Sequence, residues 1–396
     1  MRAPRQLRIA LVGPTHPFRG GIAQYTALLC RALRRHHEVR FYALRRQYPR
    51  LLFPGRSQTD ETSRAFRVEH DPCVGPLSPP SWFRTARKIS GWSADLIVFA
   101  WWNPFFAPAF GTIARLARRA TATPSCFLCH NVLPHERSRL DRLLLRYAFG
   151  AGAAFITHSQ QDRDDLAALR PGAPIHVGAH PTYEIFGGPD AGGRDRIRAQ
   201  LDLAGRRVLL FFGFVREYKG LHVLLDAVER LPPEDGYHLL VVGEFYDDPA
   251  RYRAALDRLR ERGQLTLVDR YVADDEVGRY FAAADLVMVP YVSATQSGVI
   301  QIAYAFRKPV VATTVGGIPD AVAEGETGYL VPPGDAAALA AAVRRYFGEA
   351  DRSRFERRIA AESERYSWDR MVERIEHIGW TLAAPAGTAR RNSRNR

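Results

Sequence analysis

Cysteine, lysine and long apolar runs are all scarce in this chain of 396 residues, and each scarcity excludes something. Four cysteines (Cys30, Cys73, Cys126 and Cys129) are too few for a disulfide framework in so long a chain. No window approaches the roughly 18 uninterrupted apolar residues of a membrane-crossing helix. The opening stretch MRAPRQLRIALVGP has no apolar h-region ahead of a cleavage site, so a chain kept in the reducing cytoplasm is expected. Lysine occurs three times (Lys88, Lys219 and Lys308) among 56 basic residues, which makes any lysine in a motif informative. With 46% hydrophobic residues, the chain can bury two ordinary cores, so two domains are expected.

The net charge of +14 is unevenly spread. Residues 1–190 hold 26 Lys and Arg against 13 Asp and Glu, whereas residues 191–389 hold 26 against 29. In the first half the arginines fall in helix-like stretches such as ARLARRA and ERSRLDRLLLRYA, with apolar residues on one face and cations on the other. Such a face is either a solvated surface or one attracted to anionic lipid headgroups or a phosphorylated acceptor.

Short apolar runs alternate with amphipathic stretches: LRIALVGP, HEVRFYAL, DLIVFAWW, PSCFLCHN and AAFITHS first, then RRVLLFFGF, YHLLVVGE, LTLVDRYV, DLVMVPY and KPVVATTV after the Gly- and Asp-rich break GGPDAGGRDR. This is the pattern of parallel sheets with crossover helices. The expected fold class is α/β, with two doubly wound Rossmann-like domains whose C-terminal strand edges border a shared cleft. A last amphipathic helix, WDRMVERIEHIGWTLAA, precedes a basic tail expected to be disordered.

Cys126-x-x-Cys129-His130 has the spacing of a c-type haem attachment site. Its surroundings exclude that reading. TPSCFLC is an apolar run of strand length that would bury both thiols, and no downstream axial ligand is indicated. His130 then stands where a parallel strand ends and its loop enters the cleft.

The strongest local signal is FFGFVREYKGLHVLLDAVERL, a strand, a turn carrying Gly213, Arg216 and Lys219, and a helix starting near Gly220. That arrangement aims helix amides and two cations at an anion.

From these stretches, nearly the whole chain resembles a family 4 retaining glycosyltransferase of GT-B fold (group 1 type). GGIAQYTALLCRAL resembles the family's first Gly-rich loop, HNVLPHE its cleft histidine segment, and GFVREYKGL its diphosphate site. AADLVMVPY, SGVIQIAYAFRKPVVATTVGGIPDAV and GETGYLVPPGD resemble its donor-binding half. Two departures stand out. The family's Glu-x7-Glu pair is replaced by Thr295 and Ala303, and Phe214 stands where the family has arginine, with Arg216 two residues later. A branch of the family reads SATQSGV in this way, so a variant site lacking the glutamate pair is expected.

The resemblance implies an acceptor-binding domain over residues 1–187, a nucleotide-sugar-binding domain over 188–365, a helix over 366–384 returning to the first domain, and a basic tail over 385–396. It implies transfer of a sugar from a nucleotide-diphosphate donor to a glycan or lipid-linked acceptor with retention, by attack on the leaving-group face, in cell-envelope polysaccharide synthesis. Arg216, Lys219 and the backbone N–H groups of Gly20, Gly21, Ser297, Gly298 and Val299 would stabilise the departing diphosphate. His130 would contact the donor sugar. Gly213, Glu244, Thr295, Gln296 and Gln301 join the donor site, with Gln296 and Gln301 the nearest polar substitutes for the missing carboxylates. Tyr271 and Val272 would read the base through main-chain groups. His135 and Glu136 are the candidate acceptor contacts. Asp285, ahead of an apolar strand, is assigned a structural role.

No metal and no cofactor are expected, since no DxD motif or His/Cys cluster is present and the site is already cationic. Arg115, Arg118 and Arg119, with Arg139, Arg142 and Arg146, would dock the protein peripherally on the anionic inner face of a membrane. The competing functions are a GT-B nucleotide-sugar epimerase or phosphorylase, which would need its own acid/base constellation, and a non-catalytic nucleic-acid-binding protein. The latter is disfavoured, and no nucleic-acid partner is expected, because the basic clusters lack interleaved aromatics.

Overall fold

The computed structural model describes residues 5–48, 58–60, 65–133, 139–189 and 193–383. Seven strands form the first sheet: β1 (Arg8–Gly13), β2 (Glu38–Leu44), β3 (Asp71–Val74), β4 (Leu96–Trp101), β5 (Ser125–Cys129), β6 (Ala154–Thr157) and β7 (Ile175–Val177). Six form the second: β8 (Arg207–Phe212), β9 (Tyr237–Val242), β10 (Leu265–Val268), β11 (Leu286–Val289), β12 (Val310–Thr313) and β13 (Gly328–Val331). The helices of the first half are α1 (Gly21–Arg34), α2 (Pro79–Gly91), α3 (Ala107–Thr121), α4 (Arg139–Phe149) and α5 (Gln160–Leu169). Those of the second are α6 (Arg194–Gln200), α7 (Leu221–Glu229), α8 (Ala250–Glu261), α9 (Asp274–Ala283), α10 (Gly298–Ala305), α11 (Ile318–Ala321), α12 (Ala336–Gly348) and α13 (Ser353–Ala361), followed by α14 (Trp368–Ala383).

The strand orders are β3-β2-β1-β4-β5-β6-β7 and β10-β9-β8-β11-β12-β13, and neighbouring strands in both sheets run parallel. A parallel sheet wound by helices on both faces buries every side chain of its central strands. That is why LIVFAW (β4), SCFLC (β5) and YHLLVV (β9) are apolar without alternation and buried at every position. Cys126 and Cys129 are accordingly fully buried between β4 and β6. Each sheet has its strand-order reversal between its first and fourth strands, β1/β4 in one and β8/β11 in the other. Ligands of doubly wound sheets bind at these switch points.

The chain crosses between the halves twice. After β7 it runs through residues 178–206 into β8, and after α13 it returns through α14. Met371, Val372, Ile375 and Ile378 of α14 join Leu7, Ile9, Leu11, Tyr25 and Leu29 in one core cluster of the first half. Trp368 Nε1–H donates to Thr182 O at 3.0 Å, and Trp380 Nε1–H to Arg5 O at 3.1 Å. Asp285 accepts from Val208 N–H at 2.8 Å and pairs with Arg194 and Arg198, so it fastens α6 to the second sheet.

Candidate active site

The two switch points face one another across a cavity of about 270 Å³. Its lower wall begins where β8 ends. Gly213 has φ +98°, and a Cβ there would lie 2.8 Å from Lys219 Nζ. Gly243, after β9, has φ +151°, and a Cβ on it would fall 2.1 Å from Gly213 O. Only glycine at both positions lets the two strand ends approach and leaves room for the ammonium. Lys219 lines the cavity and closes a single 3-10 turn over Glu217–Lys219. Burial, reinforced by the neighbouring Arg216, lowers its pKa to about 8.

Two helix N-termini open onto the same space. At α10 the Ser297 hydroxyl donates to Tyr291 Oη at 3.2 Å instead of capping its own helix, so the first amides, at Gly298 and Val299, are left to the cavity. At α1 the N-cap is Gly20, with φ 106° and no side chain to offer, and Gly21 is the first helical residue. Each end carries the positive pole of its helix. A half-buried ammonium and two uncapped helix ends on one cavity make a site for a strongly anionic group.

An aromatic floor adjoins this anion end. Phe214 lies 4.3 Å from Tyr246 and 6.1 Å from Tyr271, the latter nearly parallel, and the Arg19 guanidinium sits over Tyr271 at 4.1 Å. Val272, Tyr183, Phe186 and Ile302 contribute to the apolar lining. Two contacts tie the halves together beside it. Arg19 faces Glu244 at 3.7 Å, and Gln24 Nε2–H donates to Asp274 Oδ1 at 2.7 Å.

Most of the residues read from the sequence converge here: Gly20, Gly21, Gly213, Lys219, Glu244, Tyr271, Val272, Gln296, Ser297, Gly298 and Val299 all line the cavity. Four take other places. Arg216 is off the wall, its guanidinium over the Tyr246 ring at 4.9 Å, while Phe214 lines the cavity. Thr295 is also off the wall, its carbonyl accepting from Gly317 N–H at 3.0 Å. Gln301 is 2% exposed and faces a second cavity. His130 is 5% exposed and sits behind Gln296, whose Nε2–H donates to His130 O at 2.7 Å. His135 and Glu136 lie outside the described residues, as does the tail from 385.

His130 has company that the sequence reading missed. It lies 4.5 Å from the Tyr25 ring, with His158 at 5.5 Å and His180 at 5.0 Å from the same ring. Burial is the first cause holding all three imidazoles neutral, with pKa values of about 4 for His158 and about 3 for His180. The sequence offered one signal for this cluster: each histidine follows the end of one of three adjacent strands, β5, β6 and β7. Gln24 and Asp274 were also missed, and nothing local marks a pair 250 positions apart. Among the described residues, no group of three His, Cys, Asp or Glu is placed to hold a metal ion.

Residues 20–179 match the family described as "Glycosyl transferase 4-like domain", and residues 206–349 match "Glycosyl transferases group 1". The two halves are glycosyltransferase domains. The paired glycosyltransferase domains take the GT-B fold. HepE of Anabaena, solved with UDP and glucose, superposes over 94% of this chain and 99% of its own with a TM-score of 0.74 at 17% identity. Among sequences, D-inositol 3-phosphate glycosyltransferase of Streptomyces scabiei is 30% identical over 239 residues, which is 58% of this chain and 51% of that protein. Lipopolysaccharide 1,2-N-acetylglucosaminetransferase of Salmonella typhimurium is 30% identical over 193 residues, 46% of this chain and 51% of that one. The chain thus spans about half the length of these two sequence relatives.

Proposed function

We propose that the protein transfers a sugar from a uridine diphosphate donor to a glycan or lipid-linked acceptor, with retention of anomeric configuration. The observation that carries this reading is the convergence of Lys219 with the uncapped starts of α1 and α10 on one cavity that also has an aromatic floor. The diphosphate takes the cationic end and the base the end near Tyr271 and Val272. As the sugar–phosphate bond breaks, negative charge grows on the leaving oxygen, where the ammonium and fixed amide dipoles stabilise it without reorganising. The acceptor hydroxyl attacks from the same face as the departing phosphate, which accepts its proton. A divalent ion is not required, because these groups already supply the positive field. The HepE complex with UDP and glucose supports the donor class, and the Salmonella relative's name supports a glycolipid acceptor.

Peripheral docking on an anionic membrane belongs to the same proposal. Leu140 and Leu143 of α4 are 63% and 64% exposed, with Arg142 and Arg146 on the same helix and Arg118 and Arg119 exposed on neighbouring α3. Each basic residue near an anionic surface contributes about 1 kcal/mol. Arg115 is engaged within the protein, over the Tyr147 ring at 4.1 Å. No described helix is long and apolar enough to cross a membrane.

The test is incubation with a panel of nucleotide sugars, following release of the nucleoside diphosphate and the anomeric configuration of the product by NMR. UDP release with a retained product is expected. An inverted product, or epimerised donor without transfer, would replace this reading with one of its rivals.

A further inference from the structure

A second cavity, of about 420 Å³, shares Gln296 and Ser297 with the donor cavity as a common wall. It lies between the two chain crossings, bounded by the end of β7 with Ala179 and His180 after it, and by Arg365 and Tyr366 ahead of α14 with Arg370 and Arg374 on it. None of the donor-site chemistry uses it, yet its walls hold buried polar atoms with no partner among the described residues: Gln301 Oε1, Gln296 Oε1, His158 Nε2 and Arg374 Nε. Buried groups of this kind are costly to leave unmade, and in native structures they ordinarily have partners.

The roles of these atoms are fixed by chemistry. His158 Nδ1 lies 2.9 Å from Gly178 O, and a carbonyl only accepts, so Nδ1 carries the proton and Nε2 presents a lone pair. With Gln296 Oε1 and Gln301 Oε1, it makes three acceptors that call for hydroxyl donors. Arg374 supplies the opposite demand. Arg370, also on the wall, is paired with Glu364 and Glu373, whereas Arg374 makes no ion pair among the described residues, and Glu373, the carboxylate that acts on it from a distance, is already paired with Arg370. Asp320, the one carboxylate on the wall, accepts from Gln160 N–H at 2.8 Å. A guanidinium lacking its anion beside three acceptors lacking donors specifies a ligand with a negative end and several hydroxyls.

We infer that this cavity is a binding site for a small polyhydroxylated anion, a sugar phosphate or a sugar acid, distinct from the donor cavity. Its occupant would touch both glycosyltransferase domains and the wall behind Gln296.

Isothermal titration of the full chain, with UDP held at saturation, tests this with glucose 6-phosphate and glucuronate; inorganic phosphate and glucose serve as half-ligands. Binding of at least one polyhydroxylated anion is expected, about tenfold or more tighter than either half-ligand, and the arm that binds identifies the anion. Arg374→Gln should weaken it about tenfold or more while leaving UDP affinity unchanged, and Gln301→Met should weaken it similarly. Should Gln301→Met fail to fold, Arg374→Gln, on a half-buried position of α14, decides the matter. Absence of binding in both anion arms would overturn the site, as would binding abolished by UDP or undiminished in Arg374→Gln. Transfer of sugar onto glucose 6-phosphate would place it at the reaction centre instead. Loss of UDP binding by the wild-type chain would sink the donor reading and leave this site still measurable.

Discussion

The side-chain amide of Gln296 donates to the main-chain carbonyl of His130 at 2.7 Å, joining the turn before α10 to the end of β5 across the cleft. One hydrogen bond therefore spans the two halves at the point where donor cavity, histidine cluster and second cavity meet. Gln296→Leu removes the donor and leaves His130 O unpaired. Transfer kcat/KM should fall about tenfold, roughly 1.4 kcal/mol, with a more open scattering profile in solution. An unchanged rate and profile would mean that the bridge is incidental.

Lys219 carries the largest single share of the proposed leaving-group stabilisation. Lys219→Ala should lower kcat/KM by about a hundredfold, close to 3 kcal/mol, with little change in melting temperature. Undiminished turnover by a folded variant removes Lys219 from the mechanism.

The same residue sets a pH dependence. Burial, then the proximity of Arg216, brings its pKa down to about 8 in the free protein. Only the ammonium attracts the diphosphate, so kcat/KM should be level below that value and decline as pH rises through it. Lys219→Arg keeps its charge and should lose this basic limb, whatever its absolute rate. A profile that stays flat to pH 9.5 in the wild type would contradict the assignment.

Gly213 and Gly236 separate conformational strain from crowding. Both have positive φ, but a Cβ on Gly213 meets Lys219 Nζ at 2.8 Å while one on Gly236 meets nothing within 4 Å. Gly236→Ala should cost about 1 kcal/mol of stability and spare UDP binding. Gly213→Ala should cost about 1–3 kcal/mol and weaken UDP binding as well, because the ammonium must move. Calorimetry and titration of the pair check this, and equal UDP affinities would clear Lys219 of any contact with the glycine.

Membrane docking is tested by liposome sedimentation. Binding should appear with anionic vesicles, disappear with neutral ones, and weaken as salt rises and the Debye length falls below about 8 Å. Replacing Leu140 and Leu143 together by Glu should abolish it without altering UDP affinity. Equal binding to neutral vesicles would return α4 to an ordinary surface helix.

The architecture was legible in the sequence because parallel strands covered on both faces must be apolar throughout, so runs such as YHLLVV mark themselves. The phosphate-facing part of the site was legible for a related reason: Gly213 and Lys219 are near neighbours in one strand–turn–helix unit, and their geometry is local. Arg216 belongs to the same unit, yet its side chain leaves the cavity for the Tyr246 ring, a choice made by a residue from the next strand's loop. The cross-cleft pairs, Gln24 with Asp274 and Gln296 with His130, depend on how the two sheets are docked, and no local pattern encodes that. Gln301 was read as a donor contact because it is one of the nearest polar residues to the missing glutamate pair, but on α10 its buried side chain faces the second cavity.

The return of α14 to the first sheet has a consequence for biosynthesis. Domains ordinarily fold as units, N-terminal first, as they leave the ribosome. Here Leu7, together with Ile9 and Leu11 of the first strand, packs with Met371, Val372, Ile375 and Ile378, which are translated more than 350 residues later. The half of the protein made first is therefore the half completed last, and until α14 arrives, the part of that sheet face which α1 does not cover must wait exposed or be shielded by a chaperone.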